Sequence, residues 1–161
     1  MARTTKTSTA EQEVHLRPLA QALPMTLLRA REACMAEFRP MLHEHKLTEQ
    51  QWRVIRVLAQ HPSIEVTELA ERAILLGPSV SRILQYLQQS SLIERSPVES
   101  DQRRSAISLS AKGRALFKEI APHSEAIYSE LEERFGRRRL ASLLEMLREL
   151  ELALSGSDQA A

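Results

Sequence analysis

The 161-residue sequence predicts a mainly α-helical chain with one small β-hairpin, an α+β fold. Three observations carry that reading. Apolar residues step by three and four through most of the chain, which is the helical period. Strand-like runs are confined to residues 92–98 and 105–109, which flank a charged stretch. A hydrophobic content of 43% on this length can build one core, so disorder is excluded for most of the chain.

Taken in order, residues 1–20 mix Thr, Ser, Lys and Glu without period and read as a mobile arm. The apolar positions Leu23, Leu27, Ala30, Cys34, Phe38, Leu42 and His45 share one face of a long helix over residues 21–46. Pro40 lies inside it and predicts a kink or break, because proline removes a backbone donor and crowds the preceding turn. Thr48-Glu49-Gln50-Gln51 is a capping box that opens a second helix through Trp52, Ile55, Leu58 and Ala59. His61-Pro62-Ser63 ends that helix, and residues 64–66 leave room only for a short strand.

Residues 67–73 predict a short helix with Leu69, Ala70 and Ala73 inward, broken at Leu76-Gly77-Pro78. Proline at a first helical position is preorganised for a helix start. The helix from Pro78 to about Ser90 buries Val80, Ile83, Leu84 and Leu87. Ser79, Ser81, Arg82, Gln85, Tyr86 and Gln89 face outward. A short helix, a tight turn and a second amphipathic helix make a helix-turn-helix. A hairpin directly after it makes a winged helix, and the expected tip, residues 99–104, carries Asp101, Arg103 and Arg104. Arginine in a narrow minor groove profits from the negative potential there, and Asp101 is close enough along the tip to hold one of the two.

Ser110-Ala111-Lys112-Gly113 caps another helix, with Pro122 as an expected kink, and Gly136 separates it from a last one. Leu140, Leu143, Leu147, Leu150 and Leu154 alternate by three and four along that last helix, the seam of a coiled-coil-like packing that wants a partner. A DNA-binding module does not need long flanking helices to fold. Residues 21–46 and 111–154, with Leu23 and Leu27 on the first helix, are therefore expected to form a homodimer interface around a winged module at 47–110, with a tail at 155–161.

Charge follows the same division. Residues 1–71 are neutral, residues 72–114 carry seven basic against three acidic side chains, and residues 115–161 carry six against nine. The overall charge of +1 is thus a cancellation, and the basic middle suits a polyanion. One cysteine excludes an intramolecular disulfide and fits a reducing compartment. Apolar stretches such as residues 73–76 fall far below the roughly 18 residues needed to cross a bilayer. The first fourteen residues lack the apolar core of a signal peptide, so a cytoplasmic protein with no membrane partner is expected. Four glycines never fall into a phosphate-cradling spacing, and no Ser/His/Asp, paired-carboxylate or metal-ligand spacing stands out. Neither an enzyme nor a bound cofactor or metal is expected.

The runs LTEQQWRVIRVL, VTELAERA, PSVSRILQYLQQSSLIER and DQRR followed by SAISLSAKG resemble the MarR family of winged-helix transcription regulators over roughly residues 23–154. Within it, LLRAREACMAEFRPML and LTEQQWRVIRVL look most like the repressors of homoprotocatechuate (4-hydroxyphenylacetate) degradation operons. The resemblance implies a homodimeric repressor on a pseudo-palindromic double-stranded operator, released by a phenolic or aromatic acid. It places recognition-helix contacts on Ser79, Ser81, Arg82 and Gln85, and a wing pair on Asp101 and Arg103, with Arg104 beside them. Two departures stand out. Tyr86 occupies a position that is often arginine in the family. Ser91 occupies a helix-to-strand turn where glycine is common, so a left-handed Ser91 would be strained by about 1 kcal/mol.

An aromatic carboxylate needs a cation and an apolar slot. Arg31, Arg39, His43 and Trp52 are the candidates, against the plainer reading that the arginines pair with Glu32, Glu37 or a partner chain and that Trp52 is core. Cys34 lies on the apolar stripe and reads as a buried inert thiol; the alternative is a redox switch. His43 and His45 flank Glu44, but rings two residues apart on a helix diverge, which suits solvated or pocket-lining histidines better than metal ligands. The rival from another class is a helical interaction module whose basic centre binds an acidic protein.

Overall fold

The computed structural model describes residues 16–98 and 101–155, with the backbone alone at 98 and 101–104. Among them are six α-helices and a small antiparallel sheet: α1 (Leu23–Glu44), α2 (Glu49–Gln60), β1 (Ile64–Glu65), α3 (Val66–Arg72), α4 (Gly77–Gln89), β2 (Ile93–Val98), β3 (Asp101–Leu109), α5 (Ala111–Phe135) and α6 (Arg137–Ser155). The mainly helical fold with one hairpin is therefore the one expected. The chain divides into two compact units after Ala36.

In the first unit a single 3-10 turn, Leu19–Gln21, precedes the start of α1. None of its described residues is buried; Leu23, Leu27 and Leu28 are exposed. Cys34 is exposed too, which corrects the expectation of a buried thiol. On the same apolar stripe, Phe38 and Leu42 belong to the second unit and are buried there.

In the second unit, α1 runs on through Pro40 to Glu44 without the expected break. Proline removes one hydrogen bond, and buried Phe38, Met41 and Leu42 on either side hold the last turn in place. The capping box at α2 makes both its bonds: the Thr48 hydroxyl accepts from the Gln51 N–H, and the Gln51 side chain accepts from the Thr48 N–H. The sheet has the order β1-β3-β2, with Ile64 opposite Ile107 and Ile93 opposite Leu109. Pro97 is tolerated because β2 is an edge strand. Buried Val54, Ile55, Leu58, Leu69, Val80, Leu84, Leu87 and Ile107 join α2, α3, α4 and the sheet in one core. Strand β3 begins earlier than the alternation suggested. Arg103 and Arg104 therefore belong to the strand and not to a loop.

Three helices end in the same unusual way. After α1, α3 and α4, a residue in the left-handed region closes the helix: Lys46 (φ 54°), Ile74 (φ 50°) and Ser91 (φ 59°). At each, paired bonds run back to the last turn, such as Ser91 N–H to Gln88 O (2.9 Å) and Leu92 N–H to Leu87 O (2.8 Å). This is the Schellman arrangement, whose left-handed position glycine usually fills. The strain expected at Ser91 is thus present. Ser91→Gly should raise stability by about 1 kcal/mol, a gain of roughly 2–4 °C in thermal midpoint. An unchanged midpoint in a thermal melt would show the backbone relaxed there.

The start of α5 is pinned to this same turn. The Ser110 hydroxyl donates to Ser91 O (2.6 Å) and accepts from the Gly113 N–H (2.9 Å). The Ser110 N–H donates to Leu92 O (3.0 Å), and Lys112 Nζ donates to Ser90 O (2.9 Å). Helix α5 continues through Pro122 without interruption. At its end the Arg134 guanidinium donates to Glu37 (2.8 Å), a bond that holds its pKa above the ordinary arginine value. Helix α6 buries none of its residues: Leu140, Leu147 and Leu150 are half-buried, and Leu143 and Leu154 are exposed.

Candidate nucleic-acid interface and ligand cleft

Helix α4 is amphipathic as its sequence requires. Val80, Ile83, Leu84 and Leu87 are buried, while Ser81, Arg82, Gln85 and Tyr86 are exposed and Ser79 is half-buried. Arg82 has no carboxylate partner among the described residues, so its charge is available to an anion. Arg72, one helix earlier, pairs instead with Glu68 (2.7 Å). The turn between α3 and α4 is clamped from α2, where Arg53 Nη1 donates to Ala73 O (3.0 Å) and Ile74 O (3.4 Å). The side chains of Asp101, Arg103 and Arg104, assigned to the wing from the sequence, lie outside the described ones.

A second feature lies between α2 and α5. Trp52, Arg56, Gln60, Phe117, Ala121, Ser124 and Glu125 line a cleft of about 130 Å³. Trp52 is 5% exposed and stacks on Phe117, the rings 5.8 Å apart and inclined by 26°. Its buried Nε1–H has no acceptor among the described residues. Arg56 Nη1 donates to the Tyr128 hydroxyl (2.8 Å), and the guanidinium lies 5.6 Å from the Tyr128 ring centroid. Tyr128 in turn packs on Phe38 at 4.9 Å. No carboxylate among the described residues lies within ion-pair distance of Arg56. A buried indole donor, an unneutralised guanidinium and a stacked aromatic wall are what an aromatic carboxylate requires.

Of the four ligand candidates read from the sequence, only Trp52 lines this cleft. Arg31 donates to Glu32 (2.6 Å), a pairing that competes with ligand binding in the sequence reading, and Arg39 donates to Glu49 (2.8 Å), a carboxylate outside that reading. His43 is exposed. Arg56 was missed, although it stands one turn from Trp52 on the same helix, the spacing that puts two side chains on one face. Phe117, Ser124 and Tyr128 share the face of α5 towards α2, a pairing of helices that no local pattern announces.

A helix-turn-helix followed at once by a β-hairpin, with an unpaired arginine on the outer face of its second helix, defines a DNA-binding regulator of the winged-helix class. Residues 47–105 match the MarR family. The homoprotocatechuate degradative operon repressor of Escherichia coli is 40% identical over 138 residues, which cover 86% of this chain and 93% of that one. Among solved structures, transcriptional regulator PA4135 superposes with a TM-score of 0.77 at 44% identity, covering 84% of this chain and 97% of its own. NadR in complex with 4-hydroxyphenylacetate gives 0.75 at 33% identity, covering 84% and 98%. The chain belongs to the MarR family and is a transcriptional regulator, not an enzyme. Among the described residues no helix is long and apolar enough to cross a membrane.

Proposed function

We propose that the protein is a homodimeric repressor of an aromatic-compound catabolic operon, released from a pseudo-palindromic double-stranded operator by a phenolic or other aromatic acid. The observation that carries the ligand is that Trp52, with its orphaned Nε1–H, and the unneutralised Arg56 line the same cleft. A single carboxylate supplies both with an acceptor, and the ring stacks within the Trp52 and Phe117 wall. Glu125 on the cleft lining disfavours a second carboxylate and accepts from a phenolic hydroxyl. The family membership, the repressor relative and the hydroxyphenylacetate bound to NadR support the same reading.

DNA contact falls to Ser79, Ser81, Arg82, Gln85 and Tyr86 on α4, with Asp101, Arg103 and Arg104 on the wing. Exposed Leu23 and Leu27, and the seam of Leu140, Leu143, Leu147, Leu150 and Leu154 on a helix that buries nothing, are covered by a second copy. The cleft is lined by α5, and the α5 start is bonded to the end of α4 through Ser110 and Lys112. A ligand that shifts α5 therefore shifts the recognition helix, and the two helices of the dimer lose register with successive major grooves.

Footprinting on the native upstream region should show an operator that 4-hydroxyphenylacetate or a related phenolic acid clears. Arg82→Ala and Arg103→Ala should each weaken binding about tenfold or more and lower the salt slope by about one phosphate contact. An operator equally occupied in every phenolic acid tried, or full affinity in both variants, would contradict the proposal.

A further inference from the structure

The residues chosen for the turn between α3 and α4 break three local rules at once, and their side chains gain neither burial nor a cap bond in return. Ile74 is β-branched yet held at φ 50°, the left-handed region that such side chains disfavour most. Leu76 occupies the N-cap of α4, where a serine, threonine or aspartate would accept an orphan N–H, and it makes no side-chain cap bond. Gly77 follows, although a Cβ there would meet nothing within 4 Å and its backbone does not need glycine. Burial does not compensate, since Ile74 and Leu76 are each 80% exposed. Arg53 clamps the carbonyl groups of Ala73 and Ile74, so the turn is held firmly in this costly form.

Strain and exposed apolar surface kept at a single turn point outward, to something that the free chain lacks. The neighbours say what it is. The outward Ser79, Ser81 and Arg82 follow immediately on α4, and residues 72–114 carry the basic excess that draws a polyanion. Among the groups that a duplex presents in its major groove, the 5-methyl of thymine is the apolar one.

We infer that Ile74 and Leu76 form an aliphatic tip that reads thymine methyl groups at the entry of the recognition helix, with Gly77 letting the backbone come close. The inference rests on the DNA-binding reading above and adds a specificity determinant to it. A docking tip for another protein is the competing occupant.

The test uses a duplex recovered by selecting random-sequence DNA with the full-length protein, and the same duplex made with deoxyuridine in place of every thymine. Wild type should bind the deoxyuridine duplex about fourfold more weakly for each methyl contacted, the ratio expected from burying one such group. The double variant Ile74→Asn with Leu76→Ser supplies the residues that the backbone prefers, so it should melt about 2–4 °C higher while binding both duplexes within twofold. Equal binding of both duplexes by wild type would overturn the inference, as would full discrimination in the double variant. Selection that enriches no duplex would instead remove the DNA-binding reading, and the inference with it.

Discussion

Gly113→Ala will destabilise the winged module by about 3 kcal/mol or more, enough to lower its thermal midpoint by roughly 6–12 °C. A Cβ at this position would stand 2.0 Å from Leu92 O and 3.0 Å from Leu92 C, both backbone atoms. Side chains can rotate away from such a clash, but this carbonyl cannot, because it also accepts from the Ser110 N–H. Relief requires that the start of α5 part from the turn after α4, which breaks the Ser110 and Lys112 bonds together. DNA affinity should fall with stability, since the end of the recognition helix loses its anchor. A thermal melt within about 1 kcal/mol of wild type would show that the junction is looser than these distances imply.

Arg56→Met will leave affinity for operator DNA unchanged and raise the concentration of aromatic acid needed for release by roughly 10- to 100-fold. Arg56 lines the cleft and bonds Tyr128, so methionine keeps the aliphatic packing and removes the charge together with the bond to the Tyr128 hydroxyl. Trp52→Phe should act in the same direction by about tenfold, because it deletes the buried donor and keeps the ring stacked on Phe117. Titrating the ligand into the protein–DNA complex gives both numbers. Release at the wild-type concentration in either variant would place the ligand elsewhere.

How much of this was legible in the sequence depended on whether the information was local. The capping box of α2, the break before Pro78 and the hairpin after α4 are written in neighbouring residues, and each formed where those residues put it. The stripe on α1 specifies a face but not its cover, so it predicts a buried Cys34 as readily as the buried Phe38 and Leu42, and Cys34 is exposed. Arg39 could not be assigned because its partner, Glu49, lies ten residues on, in the next helix. Arg56 owes its state to Tyr128, 72 residues away. The left-handed turns were concealed by the lack of glycine: Ser91 was recognised only through the family resemblance, and Lys46 and Ile74 not at all.

The junction of α4 with α5 is fastened to main-chain oxygens, those of Ser90, Ser91 and Leu92, and not to the side chains that these residues carry. Any L-residue at these positions offers the same carbonyl. Residues on the outer face of α4 can accordingly be exchanged without loosening its link to α5. On the proposed mechanism, exchanging the outward residues of 77–89 changes the DNA sequence that is read and leaves the path from the ligand cleft to α4 in place.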